Sequence, residues 1–195
     1  MKLKNFLSFT VSLVLILAGG NAFAQASSVS GENKSSAVEI TFDYSRKSTR
    51  ATNQTAVWIE DESGKVVKTL YVSAFTSSGR GYRRRQDSLS HWVAAANPES
   101  LSKKEIDALS GATPRTGKQK FTWDLTGSDG RKVPDGIYFV KLEGTLYWSS
   151  NVLYSSQIDI SGGDIKTGEV QESRSEESNR QNEDMIQNVR IEKSL

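Results

Sequence analysis

The chain is 195 residues long, with 36% hydrophobic and 25% charged residues, so it holds one ordinary globular domain with a tail, or two very small ones. Lys2 and Lys4 account for the net charge of +2; without them 23 basic residues meet 23 acidic ones, and the basic excess that non-specific nucleic-acid binding needs is missing. There is no Cys and a single His, His91, which excludes disulfides, thiolate zinc and iron–sulfur sites, thiol nucleophiles and a histidine-based metal cluster.

Residues 1–24 carry the three parts of a secretory signal: Lys2 and Lys4, an apolar stretch from Phe6 to Ala18, and the small residues of Ala22-Phe23-Ala24. The apolar run is shorter than the ~20 residues that span a bilayer. Gly19-Gly20-Asn21 breaks it, and no Cys follows to carry a lipid. The sequence therefore predicts an exported protein, periplasmic or secreted, whose mature form begins at Gln25.

Residues 25–36 are polar and Ser-rich and read as a flexible lead-in. Val38, Ile40 and Phe42 then alternate with Glu39, Thr41 and Asp43, the pattern of a half-buried strand. Val57 and Ile59 flank Trp58 in a second strand, and Asp61-Glu62-Ser63-Gly64 turns it into a third over Val66 to Val72. Further strands are expected at Phe121 and Trp123, from Ile137 to Trp148 and from Val152 to Ile160, with turns at Ser128-Asp129-Gly130 and Pro134-Asp135-Gly136. Short strands between turn signals favour an all-β fold, an Ig-like antiparallel sandwich of about seven strands over residues 37–161.

Between Asp87 and Leu109 the period becomes helical. Leu89, Trp92, Val93 and Ala96 form one apolar face, with Asp87 or Ser88 as the expected cap, and Ser102 with Glu105 has capping-box spacing before a second short helix. This helical insert lies between two strands expected to belong to different sheets, a place where function collects on a rigid scaffold. Residues 162–184 hold seven acidic and three basic side chains and almost nothing apolar, so disorder is expected there. Val189 and Ile191 restore alternation within 185–195, which reads as a last strand returning to the sheet.

Few residues stand out for chemistry. Arg80, Arg83, Arg84 and Arg85 surround Tyr82 and have the forks to hold a phosphate or an acidic partner, but a solvated loop is the favoured reading. His91 has no Ser or carboxylate neighbour in sequence to make a triad and reads as a surface or packing residue. Asp124, Asp129 and Asp135 fall near turns, where Asp serves the backbone, so no metal site is expected. Asn53-Gln54-Thr55 is a glycosylation sequon, and the four Trp residues read as core.

Two resemblances go further. Trp123-Asp124-Leu125-Thr126-Gly127-Ser128-Asp129-Gly130, followed by Val133-Pro134-Asp135-Gly136-Ile137-Tyr138, resembles the Ig-like repeat of flagellar hook-capping proteins, with Leu125 where that repeat usually has Gly. It implies a fold and is silent about activity. Ala56-Val57-Trp58-Ile59-Glu60-Asp61, Gly64, Val67-Lys68-Thr69-Leu70, Leu89 with Trp92, Asp107 to Thr113 and Phe121-Thr122-Trp123-Asp124 together resemble the domain of unknown function DUF2271, predicted periplasmic proteins, from about Val38 to Ile160. That resemblance implies no catalytic activity. It does imply an extracytosolic redox setting, because some members accompany flavin transferases and flavin-bearing membrane proteins.

Within it, Asp107-x-x-Ser110-Gly111-Ala112-Thr113 is similar to the acceptor motif of covalently flavinylated proteins, in which the last Thr takes FMN through a phosphodiester bond. The likeness implies that Thr113 is the nucleophile, that Gly111 and Ala112 leave room for a transferase, and that Asp107 orients the segment by hydrogen bonds. The chain continues with Pro114-Arg115, where such domains usually place small or hydroxyl residues. The structural alternative is that Gly111 closes the short helix in a left-handed cap and Thr113-Pro114 begins a turn.

The sequence thus favours an exported, non-enzymatic Ig-like interaction module with no cofactor, accessory to a periplasmic flavin-dependent electron-transfer system. The alternative is a covalently flavinylated carrier with FMN on Thr113. A hydrolytic enzyme is disfavoured, because no Ser–His or paired-carboxylate arrangement stands out. Expected partners are other periplasmic or membrane proteins, a flavin transferase or flavoprotein among them. No nucleic acid and no stable membrane insertion are expected.

Overall fold

A computed structural model describes residues 36–48, 53–146, 150–175 and 185–194; the expected signal segment and all of the lead-in except Ser36 lie outside the described residues. In chain order the strands are β1 Ala37–Tyr44, β2 Gln54–Asp61, β3 Val66–Ser73, β4 Ser110–Gly111, β5 Gly117–Trp123, β6 Gly136–Thr145, β7 Asn151–Ser161, β8 Asp164–Thr167, β9 Gln171–Arg174 and β10 Ile186–Ser194. β4, β8 and β9 have four residues or fewer, which leaves seven longer strands among the described residues.

They form two sheets. The smaller runs β10-β1-β5; the larger runs β4-β3-β2-β6-β7-β8, and β9 also pairs with β7. All pairings are antiparallel except the two-residue contact of β4 with β3, which is parallel. β1 explains the smaller sheet: its alternation turns Val38, Ile40 and Phe42 inward, and Ile40 faces Ile191 on one side and Phe121 on the other. Between the sheets they meet Val57, Ile59, Val140, Leu142, Val152 and Ile158 in one core. Each such side chain, fully buried, contributes about 1.5–3 kcal/mol.

β2 is buried on both faces. Val57 and Ile59 look into the sandwich, while Ala56 and Trp58 look outward under a helical layer and pack with Val72, Leu89 and Trp92. That layer is α1 Ala74–Ser77, α2 Gly79–Arg84, α3 Ser90–Ala96, a 3-10 turn Pro98–Ser100 and α4 Lys103–Leu109. The insert begins at Ala74 rather than Asp87, and it absorbs the arginine cluster, which is helix α2 instead of a loop. Its two ends do belong to different sheets, β3 in the larger and β5 in the smaller.

Two details correct the sequence reading and two others agree with it. Neither Asp87 nor Ser88 caps α3: the N-cap position is Leu89, left-handed at φ 51°, and the Ser88 hydroxyl is buried 2.9 Å from Thr76 Oγ1. The expected disorder of 162–184 fails at its start, since β8 and β9 lie within it, while 176–184 falls outside the described residues. Ile165 is the buried anchor of this stretch, and backbone ladders to the edge of β7 hold the rest. The capping box of α4 is present, with Ser102 and Glu105 exchanging bonds, and residues 186–194 form the returning strand.

Trp58, Trp92 and Trp123 are core residues, and Trp148 lies outside the described residues. Leu125 is left-handed at φ 58° and 8% exposed. The backbone needs glycine-like geometry there, and a buried Leu supplies it under strain.

Candidate functional site

The segment from Asp107 to Thr113 spans three local structures. Asp107 is exposed in the last turn of α4; Ser110 and Gly111 are β4, opposite Val72 and Ser73 of β3; Ala112 and Thr113 leave the sheet edge toward β5. The helix does not end in a left-handed cap. Ser110 closes it at φ −92°, ψ 143°, and Gly111 is not among the glycines with positive φ. Gly111 is needed for a different reason: a Cβ there would stand 2.8 Å from Tyr71 Cε2. The Tyr71 ring lies across the glycine, and its hydroxyl donates to the Ala112 carbonyl at 2.8 Å.

Ala112 is exposed and Thr113 half-buried. Among the described residues the Thr113 hydroxyl and the Asp107 carboxylate make no hydrogen bond, so Asp107 does not orient the segment in the way the resemblance implied. The ordering comes from Tyr71, which sequence reasoning missed, because 41 residues separate it from Ala112. A free hydroxyl on an anchored stretch at a sheet edge fits a group attached through a phosphodiester.

A second polar centre sits under α3. Glu143 is fully buried on β6, on the face that meets the helices. Its Oε2 accepts the Trp92 backbone N–H at 2.9 Å; Oε1 accepts the His91 N–H at 3.2 Å, the His91 ring at Nδ1 at 3.1 Å and the Asn151 amide. The carboxylate thus does the capping expected of Asp87 or Ser88, from a strand 51 residues away. The hydrogen bond to Glu143 raises His91 above its ordinary pKa, and burial opposes the shift. His91 therefore has the carboxylate partner that its sequence neighbours lack. With Ser90, Asn151 and Arg174 it lines an open cleft of about 380 Å³. Four donors converge on Glu143, which makes it an anchor for α3.

Most of the remaining candidates have structural partners. Asp124 takes Lys68 at 2.8 Å and the Thr126 hydroxyl at 2.6 Å, and these bonds hold its carboxyl down at about 2. Asp129 accepts the Arg131 N–H, as turn residues do, and Asp135 accepts the N–H of Gly162, 27 residues away. No group of metal-ligating residues is present among the described residues. Asn53 of the sequon is buried, its side chain bonded to both backbone groups of Lys47. In the arginine cluster Arg83 pairs with Glu99, Arg85 turns toward Asp87 at 4.0 Å, and Arg80 and Arg84 are exposed.

Among the described residues no helix is long and apolar enough to cross a membrane. No curated protein and no solved structure matches the chain. One family model matches residues 35–178, most of the chain, and its span takes in the larger sheet, strands β1 and β5 of the smaller one, the helical layer and the Asp107–Thr113 segment. On that match the chain belongs to the family of predicted periplasmic proteins designated DUF2271.

Proposed function

We propose that the chain is a non-enzymatic module of a periplasmic flavin-dependent electron-transfer system, and that it takes part as a carrier, with FMN joined to the Thr113 hydroxyl. The observation that supports this most is how the segment stands. Its hydroxyl is free of hydrogen bonds among the described residues, and it follows directly on an anchored edge strand with exposed residues at Asp107 and Ala112. The competing explanation of Gly111, a left-handed cap, has lost its basis. In the transfer, Thr113 Oγ1 forms a bond to the FMN-side phosphorus of FAD in the magnesium site of a transferase. The pyrophosphate bond breaks, AMP leaves, and the hydroxyl proton passes to a base of the transferase. Bound FMN would supply reversible electron uptake, on the rigid support of the sandwich.

A second reading keeps the fold and drops the cofactor: an Ig-like accessory module whose helical layer and sheet edge are contact surfaces. Pro114-Arg115 supports it, being a departure from the residues that usually follow such acceptors. Co-expression with an exported flavin transferase, read by in-gel flavin fluorescence under denaturing conditions, separates the two. A fluorescent wild-type band that Thr113→Val abolishes is the expected result. A dark wild-type band beside a labelled control substrate leaves the accessory module.

A further inference from the structure

Tyr71 reaches the acceptor segment from the end of β3, beside the short edge strand β4. It lies on β3 one residue before Val72, which pairs with Ser110, so its ring passes over the neighbouring strand at Gly111. Contacts on both sides fix it, besides a 3.4 Å contact of its hydroxyl with Ser73 Oγ on its own strand. Its hydroxyl donates to the Ala112 carbonyl at 2.8 Å, and its ring leaves no room for a side chain at Gly111. On the other side the ring meets Phe121 at 5.5 Å between centroids, and Phe121 stacks on the fully buried Phe42 at 6.0 Å. The clamp is thus rooted in the core through two aromatic rings. Burial pushes the Tyr71 hydroxyl up from its ordinary pKa, so it stays protonated and donating at neutral pH.

We infer that Tyr71 is a positioning residue for modification at Thr113, holding Gly111 and Ala112 in the one backbone arrangement that a flavin transferase reads. The inference rests on the carrier reading above. Gly111 is bare for two separate reasons: the transferase must approach, and Tyr71 must lie flat on the chain. Position 113 precedes Pro114, which further biases its backbone to an extended form. An acceptor held in this way loses less freedom when the enzyme binds it, so the gain falls on recognition and not on the chemical step.

The test is the kinetics of FMN transfer to purified wild type and Tyr71→Phe, with active transferase, FAD and magnesium, followed by intact mass. Phe keeps the ring on Gly111 and Phe121 and removes the hydroxyl, with its bond to Ala112 and its 3.4 Å contact with Ser73 Oγ. The expected result is a KM for the acceptor raised about tenfold with kcat unchanged, the worth of one hydrogen bond. Melting temperature should stay within a few degrees of wild type, and hydrogen exchange over 110–113 should quicken. Wild-type kinetics in Tyr71→Phe would overturn the inference and leave the carrier reading standing. A lowered kcat together with a lowered melting temperature would also overturn it, as a general loss of structure. An unmodified wild type would overturn both.

Discussion

Glu143→Gln and Glu143→Ala probe the centre on which the helical layer depends. In the wild type two carboxylate oxygens receive four donors: the His91 and Trp92 backbone N–H groups, the His91 ring and the Asn151 amide. A Gln amide keeps one oxygen and turns an NH2 toward the other set. In either orientation at least one backbone N–H at the start of α3 loses its acceptor in a dry site. An unpaired buried donor costs about 1–3 kcal/mol, so Glu143→Gln should lose about 2 kcal/mol. Ala removes every acceptor and leaves a hole beside the buried Trp92, which places the loss at about 4 kcal/mol, as for other broken buried charge networks. Urea unfolding followed by tryptophan fluorescence reads both. With a slope of about 1–3 kcal/mol per molar, the Gln variant should shift the midpoint down by about 1 M. Midpoints unchanged for both variants would refute the role assigned to Glu143.

The remaining predictions concern His91 and Leu125. His91 has a pKa raised in the folded state, chiefly by its bond to Glu143, so its contribution is complete below its ordinary value of 6.5 and is lost as pH rises through the higher folded value. Its side chain is 53% exposed, so the effect stays under about 1 kcal/mol. The stability difference between wild type and His91→Gln, from urea melts, should be larger at about pH 5.5 than at about pH 8.5; a flat or reversed difference would contradict this. Leu125→Ala and Leu125→Gly both lose the buried side chain, but only Gly relieves the backbone at φ 58°. Gly should therefore be the more stable of the two by about 1 kcal/mol, opposite to their usual order. Thermal unfolding with Ala above Gly would show that position 125 is unstrained.

Where a residue's role depends on its immediate neighbours, the chain could be read directly. Val38, Ile40 and Phe42 alternate because one face of β1 is core, and Ser102 with Glu105 forms its capping box within one turn. Ser128 and Gly130 were legible as a turn, though not that the Ser128 N–H and hydroxyl both reach the Val67 carbonyl and tie the β5–β6 connection to β3. Roles set by distant residues were hidden. The cap of α3 comes from Glu143, and nothing in the sequence around Ser90 signals it; the sole hint is a carboxylate in a strand otherwise in phase for burial. Gly111 has the position of a helix cap, and only the fold brings Tyr71 over it. β8 and β9 escaped because edge strands are held by backbone bonds, to which hydropathy is blind; Gln171 to Arg174 has no apolar residue at all. The acceptor motif was visible as a pattern, but its support was not.

On the carrier reading proposed above, Thr113 holds a covalent flavin in the exported protein. Intact mass of the chain recovered from the periplasm of cells with an active flavin transferase measures this directly. The expected product is a mature chain starting at Gln25 with one FMN added, the addition absent from Thr113→Val. A mature chain of unmodified mass, from cells in which a control acceptor is fully flavinylated, would contradict it.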